Sequence, residues 1–322
     1  MIKQNHAPAA TAGSAFKSPK SFKSMSSAER FTELQIPASS FTVRTHPLTN
    51  QVADSVNQFF SETWPFPNER ERKKFLRDDC SRFVCYAFPC CLNDLLRLAC
   101  EVVTHLILTD DMRDELLLKD GRALNDKLIA LARGVALPDR NSPPGIWYNI
   151  WQGFRKCDEE LANALLQPYL NFRLDDIGKE LLSALICFTR GIHLTEEERA
   201  LVGPVDNNGA RHLAVINDIW SYEKELEAVT LGQEGSIMTN AVDVLADEVF
   251  IPIDSAKRVL YRLCREWEIA HDTLVAEILA MCDSPALRIY LKDNEYQMSG
   301  KRSGLGRHVG TRWLLKCLYI FA

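Results

Sequence analysis

Two short stretches of this sequence hold side chains whose type and spacing could do chemistry. The first is LILTDDMRDE, residues 106–115, where Asp110, Asp111, Asp114 and Glu115 follow directly on an apolar run. Asp110 and Asp114 are four residues apart, so on a helix they stack one above the other with about 5–6 Å between Cβ atoms. Two like charges stacked in this way repel. The arrangement becomes favourable when a hard divalent cation sits beside them, and Mg²⁺ is such an ion. It takes one or two carboxylates, keeps several waters, and draws its remaining ligands from substrate phosphates. The plain alternative is a solvated acidic helix end with Arg113 as a local partner.

The second stretch is VINDIWSYEKE, residues 215–225. Asn217, Ser221 and Glu225 lie at i, i+4 and i+8, which puts a carbonyl oxygen, a hydroxyl and a carboxylate on one helical stripe. All three are hard oxygen donors, a suitable ladder for one Mg²⁺. Ile216, Ile219 and Trp220 cover the flanks that must pack, and Lys224 adjoins the ladder within reach of an anion. A polar stripe facing solvent would explain Ser221 and Glu225. It explains Asn217 poorly, because Asn is a mediocre helix former.

The elements that must position these stripes are helical. From about residue 46 onward, apolar residues recur at helical spacing in TNQVADSVNQFFSETW, CDEELANALL, GKELLSALICF, GARHLAVINDIWSYEKELEAV and AKRVLYRLCREWEIAHDTLVAEIL. The longest apolar stretch, CLNDLLRLACEVVTHLILTDDMRDELL, is greasy nearly all round and predicts a central buried helix. WPFP at 64–67 predicts a break. Strand alternation, internal repeats and a glycine-rich phosphate loop are absent. The fold expected is therefore all-α, a single-domain helical bundle around one apolar core.

The formal net charge of −5 argues against a nucleic-acid partner, since neutralising phosphates needs a basic face. No apolar run is long enough for a membrane span. The ten cysteines include no CxxC pair, and Cys100 and Cys187 sit on apolar helix faces, so reduced core thiols in a cytoplasmic protein are expected. Residues 1–40 are basic and Ser-rich without periodicity, and read as a disordered tail. Residues 314–322 read as a short apolar C-terminal tail.

Together, DDMRD at 110–114 and NDIWSYEKE at 217–225 resemble the two metal motifs of the class I terpene synthases, D(D/E)xx(D/E) and NDxxSxxxE. WPFPNERERKKFL, LANALL and FRLDDIGKELLSAL add a likeness to fungal sesquiterpene cyclases, among them relatives of presilphiperfolanol and koraiol synthases. The resemblance spans about residues 46–313. It implies a helical bundle around an apolar cavity and an enzyme that ionises farnesyl diphosphate with three Mg²⁺ ions. The carbocation then cyclises and diphosphate is released. Oligomeric state is expected to be monomer or homodimer.

Residue by residue, the resemblance makes Asp110 and Asp114 first-motif ligands, and Asn217, Ser221 and Glu225 second-motif ligands. Lys224 would contact the diphosphate. Arg173 in FRLDDIG would sense it, with Asp176 as linker and Ile177–Gly178 at a helix break. Arg312-Trp313 is the nearest match to a C-terminal Arg-Tyr pair that closes over the diphosphate, with Arg307 as rival. Trp313 departs from the pattern, because an indole offers only its N–H. A second departure lies at 167–169. LANALL and YLNFRLDDIG are joined almost directly, where the family has a further segment on the order of 15–20 residues, one helix in length. Phe83, Tyr86, Trp147, Phe188 and Trp220 are candidates to line the cavity. Two other readings stay open: an isoprenyl chain-elongating transferase, disfavoured because that class uses two DDxxD motifs, and a catalytically dead helical homologue.

Overall fold

The computed structural model describes residues 39–113, 116, 118–135, 142–171, 178–231 and 240–302. Asp110 and Lys224 are described in their backbone only. All of these residues belong to the unit Ile36–Ala322. Of the tails expected at 1–40 and 314–322, Ser39 and Ser40 are described and the rest lies outside these residues.

The described residues form twelve helices and no strand. In chain order they are α1 Thr49–Thr63, α2 Glu69–Asp78, α3 Cys80–Ala87, α4 Leu96–Arg113, α5 Leu118–Ala132, α6 Pro143–Cys157, α7 Glu159–Asn171, α8 Gly178–Arg190, α9 Glu196–Thr230, α10 Ala241–Val249, α11 Ile253–Met281 and α12 Pro285–Arg302. The all-α expectation therefore holds.

Local sequence explains most of the boundaries. WPFP separates α1 from α2, and Asn68 caps α2 by accepting from the Glu71 N–H. α6 opens with Ser142 as cap and Pro143 at its first position, where the missing N–H costs nothing. α9 opens on a capping box: the Thr195 hydroxyl accepts from Glu198 N–H, and the Glu198 carboxylate accepts from Thr195 N–H. This 35-residue helix runs through Pro204, which forgoes one backbone bond. α7 continues through Gln167 and Pro168 to Asn171, so the short junction read in the sequence forms part of one helix.

α4 is the central helix that its all-round apolarity predicts. It packs on α1, α3, α6 and α8, while α9 packs on α8, α10, α11 and α12. Close approach is built in at two glycines. A Cβ on Gly153 of α6 would meet the Leu98 side chain at 2.7 Å, and one on Gly300 of α12 would meet the Tyr86 backbone at 2.9 Å. An aromatic row runs through the core, from Trp64 to His105 (5.3 Å), Trp147 (4.8 Å), Trp151 (5.6 Å), Phe154 (5.5 Å) and Phe188 (4.6 Å). Trp147 and Phe188, proposed from sequence as cavity walls, are packed core residues of this row. Each such burial contributes roughly 1.5–3 kcal/mol.

A polar seam joins α8, α9 and α12. Asp206 accepts from the Ser183 hydroxyl (3.1 Å), the Tyr290 hydroxyl (2.9 and 2.8 Å) and the Asn294 amide (2.8 Å). Gln297 donates to the Leu182 carbonyl, and Arg190 pairs with Asp293 at 3.2 Å. The nine described cysteines are all free thiols, five of them buried. No described helix is long and apolar enough to cross a membrane.

Candidate metal and diphosphate site

α4 delivers its carboxylates at its C-terminal turn. Asp110 is helical, with Arg113 as the last helical residue, and Asp114 lies outside the described residues. Asp111 is exposed and lines a cavity of about 150 Å³ together with Trp64, Phe66, Phe75, Ile107 and Met112. What holds this turn in place is His105, one turn earlier and 1% exposed. Its Nε2 pairs with the Pro143 carbonyl at 2.9 Å, and its Nδ1 with the Thr109 hydroxyl at 3.2 Å. Burial pushes the imidazole down to about 4, so His105 is neutral and pins α4 to the start of α6.

On α9 the expected stripe exists, and it faces inward. Asn217 and Ser221 are wholly buried, and Glu225 is half-buried. This removes the reading of a solvated polar face. Among the described residues the Ser221 hydroxyl has no hydrogen-bond partner. A buried, unsatisfied hydroxyl costs about 1–3 kcal/mol, so an oxygen kept there calls for a partner that the described residues do not supply. A hard cation fits that requirement, as does the all-oxygen donor set of Asn, Ser and Glu. Among the described residues no cluster of three His, Cys, Asp or Glu side chains offers an alternative metal site.

The ladder is braced from α10. Asn240 donates to Glu225 Oε2 and to the Asp218 main-chain carbonyl, each at 3.0 Å. Asp218 Oδ2 accepts from the Ala241 N–H at 2.9 Å. Burial raises the Asp218 carboxyl to about 7, opposed by that N–H and reinforced by Glu225. Lys224 lies on α9 between ladder positions. Arg173, Asp176 and Ile177, and Arg307, Arg312 and Trp313, lie outside the described residues. α8 touches both α4 and α9, and so links the two motif-bearing helices.

Sequence reasoning passed over His105, Asp218 and Asn240 as anchors. The signal for Asn240 was present, since Asn followed by an acidic residue three positions on, in NAVD, marks a helix start. Nothing in the sequence ties that cap to Glu225.

Comparison with known proteins bears on this geometry. A family model described as "Terpene synthase family 2, C-terminal metal binding" matches residues 163–268, a span that includes the whole ladder. Aristolochene synthase of Aspergillus terreus is 40% identical over 293 residues, covering 84% of this chain and 92% of its own. The chain belongs to the class I terpene synthases. The crystal structure of aristolochene synthase from Penicillium roqueforti superimposes with a TM-score of 0.74 at 37% identity, covering 83% of this chain and 97% of that one. Hedycaryol synthase, at 20% identity and a TM-score of 0.61, shares the fold. An alignment of 293 residues that covers 84% of 322, about 270, leaves some twenty positions of the Aspergillus terpene synthase without a counterpart here.

Proposed function

We propose that the protein is a Mg²⁺-dependent sesquiterpene synthase that ionises farnesyl diphosphate, cyclises the resulting carbocation and releases diphosphate. The observation that carries this reading is the buried oxygen ladder of α9, with the Ser221 hydroxyl unpartnered among the described residues of a terpene synthase core. The relatives named are aristolochene synthases, and a cyclase of the same broad kind is the reading they support. The narrower likeness to presilphiperfolanol and koraiol synthases rests on the quoted motifs alone.

In this reading Asp110 of α4 and Asp114 just beyond it in sequence would hold metal on one side, and Asn217, Ser221 and Glu225 of α9 on the other, three ions in all. When bound, the ions offset charge developing on the departing diphosphate. Lys224, Arg173 and Arg312 add cationic contacts to the same group, and the Trp313 N–H supplies a donor where a phenol would otherwise stand. The apolar interior excludes water, so that the cation is not quenched before cyclisation. The protein acts in the cytoplasm as a monomer or homodimer.

The test is incubation with Mg²⁺ and ten-, fifteen- or twenty-carbon isoprenyl diphosphates, followed by gas chromatography. Cyclic fifteen-carbon products from farnesyl diphosphate are expected. A longer linear diphosphate, formed when isopentenyl diphosphate is added, would instead identify a chain-elongating transferase. No turnover of any substrate would identify a dead homologue.

A further inference from the structure

Asn240 is wholly buried, and every polar atom of its amide is engaged. Its Oδ1 accepts from the Val242 N–H at 2.9 Å, which caps α10. Its Nδ2 donates twice, to the Asp218 carbonyl and to Glu225 Oε2, each at 3.0 Å. No described group hydrogen-bonds Glu225 Oε1. The two targets on α9 lie seven residues apart, about two turns, so one amide spans the part of the helix that carries the ladder. An amide suits all three contacts: one acceptor faces the cap, and two donors face oxygens. Serine would keep an acceptor for the cap and fall short of Glu225. Aspartate would keep the shape and turn a second carboxylate on Glu225.

We propose that Asn240 is a positioning residue of the metal site, which grips Glu225 by Oε2 so that Oε1 is presented on the ladder, and which ties that grip to the start of α10. The proposal rests on the metal-binding reading of Glu225. It adds that α10 does more than cover the bundle. Through one amide, the seating of α10 on α9 decides whether the third oxygen of the ladder is aimed. Groups that orient a metal ligand from behind in this way typically change affinity by roughly 10–100-fold when removed.

The experiment measures Mn²⁺ affinity by electron paramagnetic resonance, on the full chain with inorganic diphosphate present, alongside the Mg²⁺ dependence of turnover. Four proteins are compared: wild type, Asn240→Ser, Asn240→Asp and Glu225→Gln. Asn240→Ser should weaken Mn²⁺ binding roughly tenfold. It should raise the Mg²⁺ needed for half-maximal turnover by a similar factor and leave kcat at saturating Mg²⁺ within about threefold of wild type. Asn240→Asp keeps the cap acceptor and the shape of the side chain, so it covers the case in which the serine variant fails to fold. Its carboxylate repels Glu225, and it too should weaken Mn²⁺ binding. If Glu225→Gln weakens Mn²⁺ binding while both Asn240 variants bind normally, Asn240 is a helix cap alone and the proposal is overturned. If Glu225→Gln itself leaves affinity unchanged, the metal reading of Glu225 fails, and the positioning role fails with it.

Discussion

The last turn of α4 and the C-terminal half of α9 are assigned the same task, yet the fold supports them in opposite ways. On α4 the oxygens are carboxylates placed at a helix end, and Asp111 there is exposed. On α9 they sit in the C-terminal half, ahead of the last turn, and the two wholly buried positions are Asn217 and Ser221, both neutral. The ladder's one full charge, Glu225, is where the helix becomes half-buried. The difference follows from the cost of burial. An ionised group in the interior is far more expensive than an amide or hydroxyl, so charge is kept where water can reach it, and neutral donors go where it cannot. Each solution carries its own penalty. Carboxylates at a helix C-terminus oppose the helix dipole. A hydroxyl in the core without a partner forgoes a hydrogen bond.

The largest expected effect comes from the charged side of this comparison. Asp110→Asn removes one full charge next to the proposed ions and keeps the shape of the side chain. Turnover at saturating Mg²⁺ should fall by on the order of a hundredfold or more. The folded state should gain roughly 0.3–1 kcal/mol, because a carboxylate no longer opposes the dipole of α4. Steady-state kinetics and a urea melt of the same preparation check both signs. Unchanged turnover would remove Asp110 from the ligand set and leave α9 as the one supported half of the site.

Much of this contrast is legible in the sequence, for physical reasons. The apolar run before Asp110 predicts a buried helix, and the i, i+4, i+8 spacing of Asn217, Ser221 and Glu225 predicts one stripe. Both depend only on helical period, which is local information. The inward face of the ladder was hinted at by Asn217, which a solvated stripe does not explain. What holds each helix in place was not legible. His105 reads as one more position on an apolar face until Pro143 and Trp147, about forty residues on, are packed against it. Asn240 reads as a helix cap, and its grip on Glu225 is a contact across fifteen residues that no periodicity encodes. Asp206 likewise gives no sign in sequence of gathering Ser183, Tyr290 and Asn294.

A smaller effect tests the neutral side. Ser221→Ala deletes a ladder oxygen, so turnover at limiting Mg²⁺ should drop roughly tenfold and recover in part as Mg²⁺ is raised. Stability should hold, or rise by up to about 1 kcal/mol, because a buried hydroxyl without a partner is removed. Loss of function with no loss of stability is the signature of an oxygen kept for a ligand. The opposite pattern, a lower urea midpoint with an unaltered Mg²⁺ response, would make Ser221 a structural residue and undo the contrast drawn between the helices.

The smallest effect concerns the anchor of α4, and it is read through pH. His105 is neutral in the folded protein, with its imidazole pushed down to about 4, against an unfolded value of 6.5. Between those values the unfolded chain binds the proton and the folded chain does not. His105 therefore contributes stability that is complete above pH 6.5 and is lost as pH falls towards 4. From pH 7.5 to 5.5 that loss is on the order of 1 kcal/mol. Asp218 and Asp293, raised to about 7 and about 6, act in the opposite sense, since an acid with a raised value favours folding as pH falls. They are common to wild type and variant, so they cancel in a comparison of the two. His105→Gln keeps a polar side chain beside Pro143 and Thr109 and cannot titrate. It should lower stability at pH 7.5, because the stack on Trp147 is lost. Between pH 7.5 and 5.5 it should lose on the order of 1 kcal/mol less than wild type does. Urea midpoints at the two pH values measure this directly. Parallel losses in both proteins would mean that His105 carries its proton in the folded state. A neutral imidazole would then not be what pins α4 to α6.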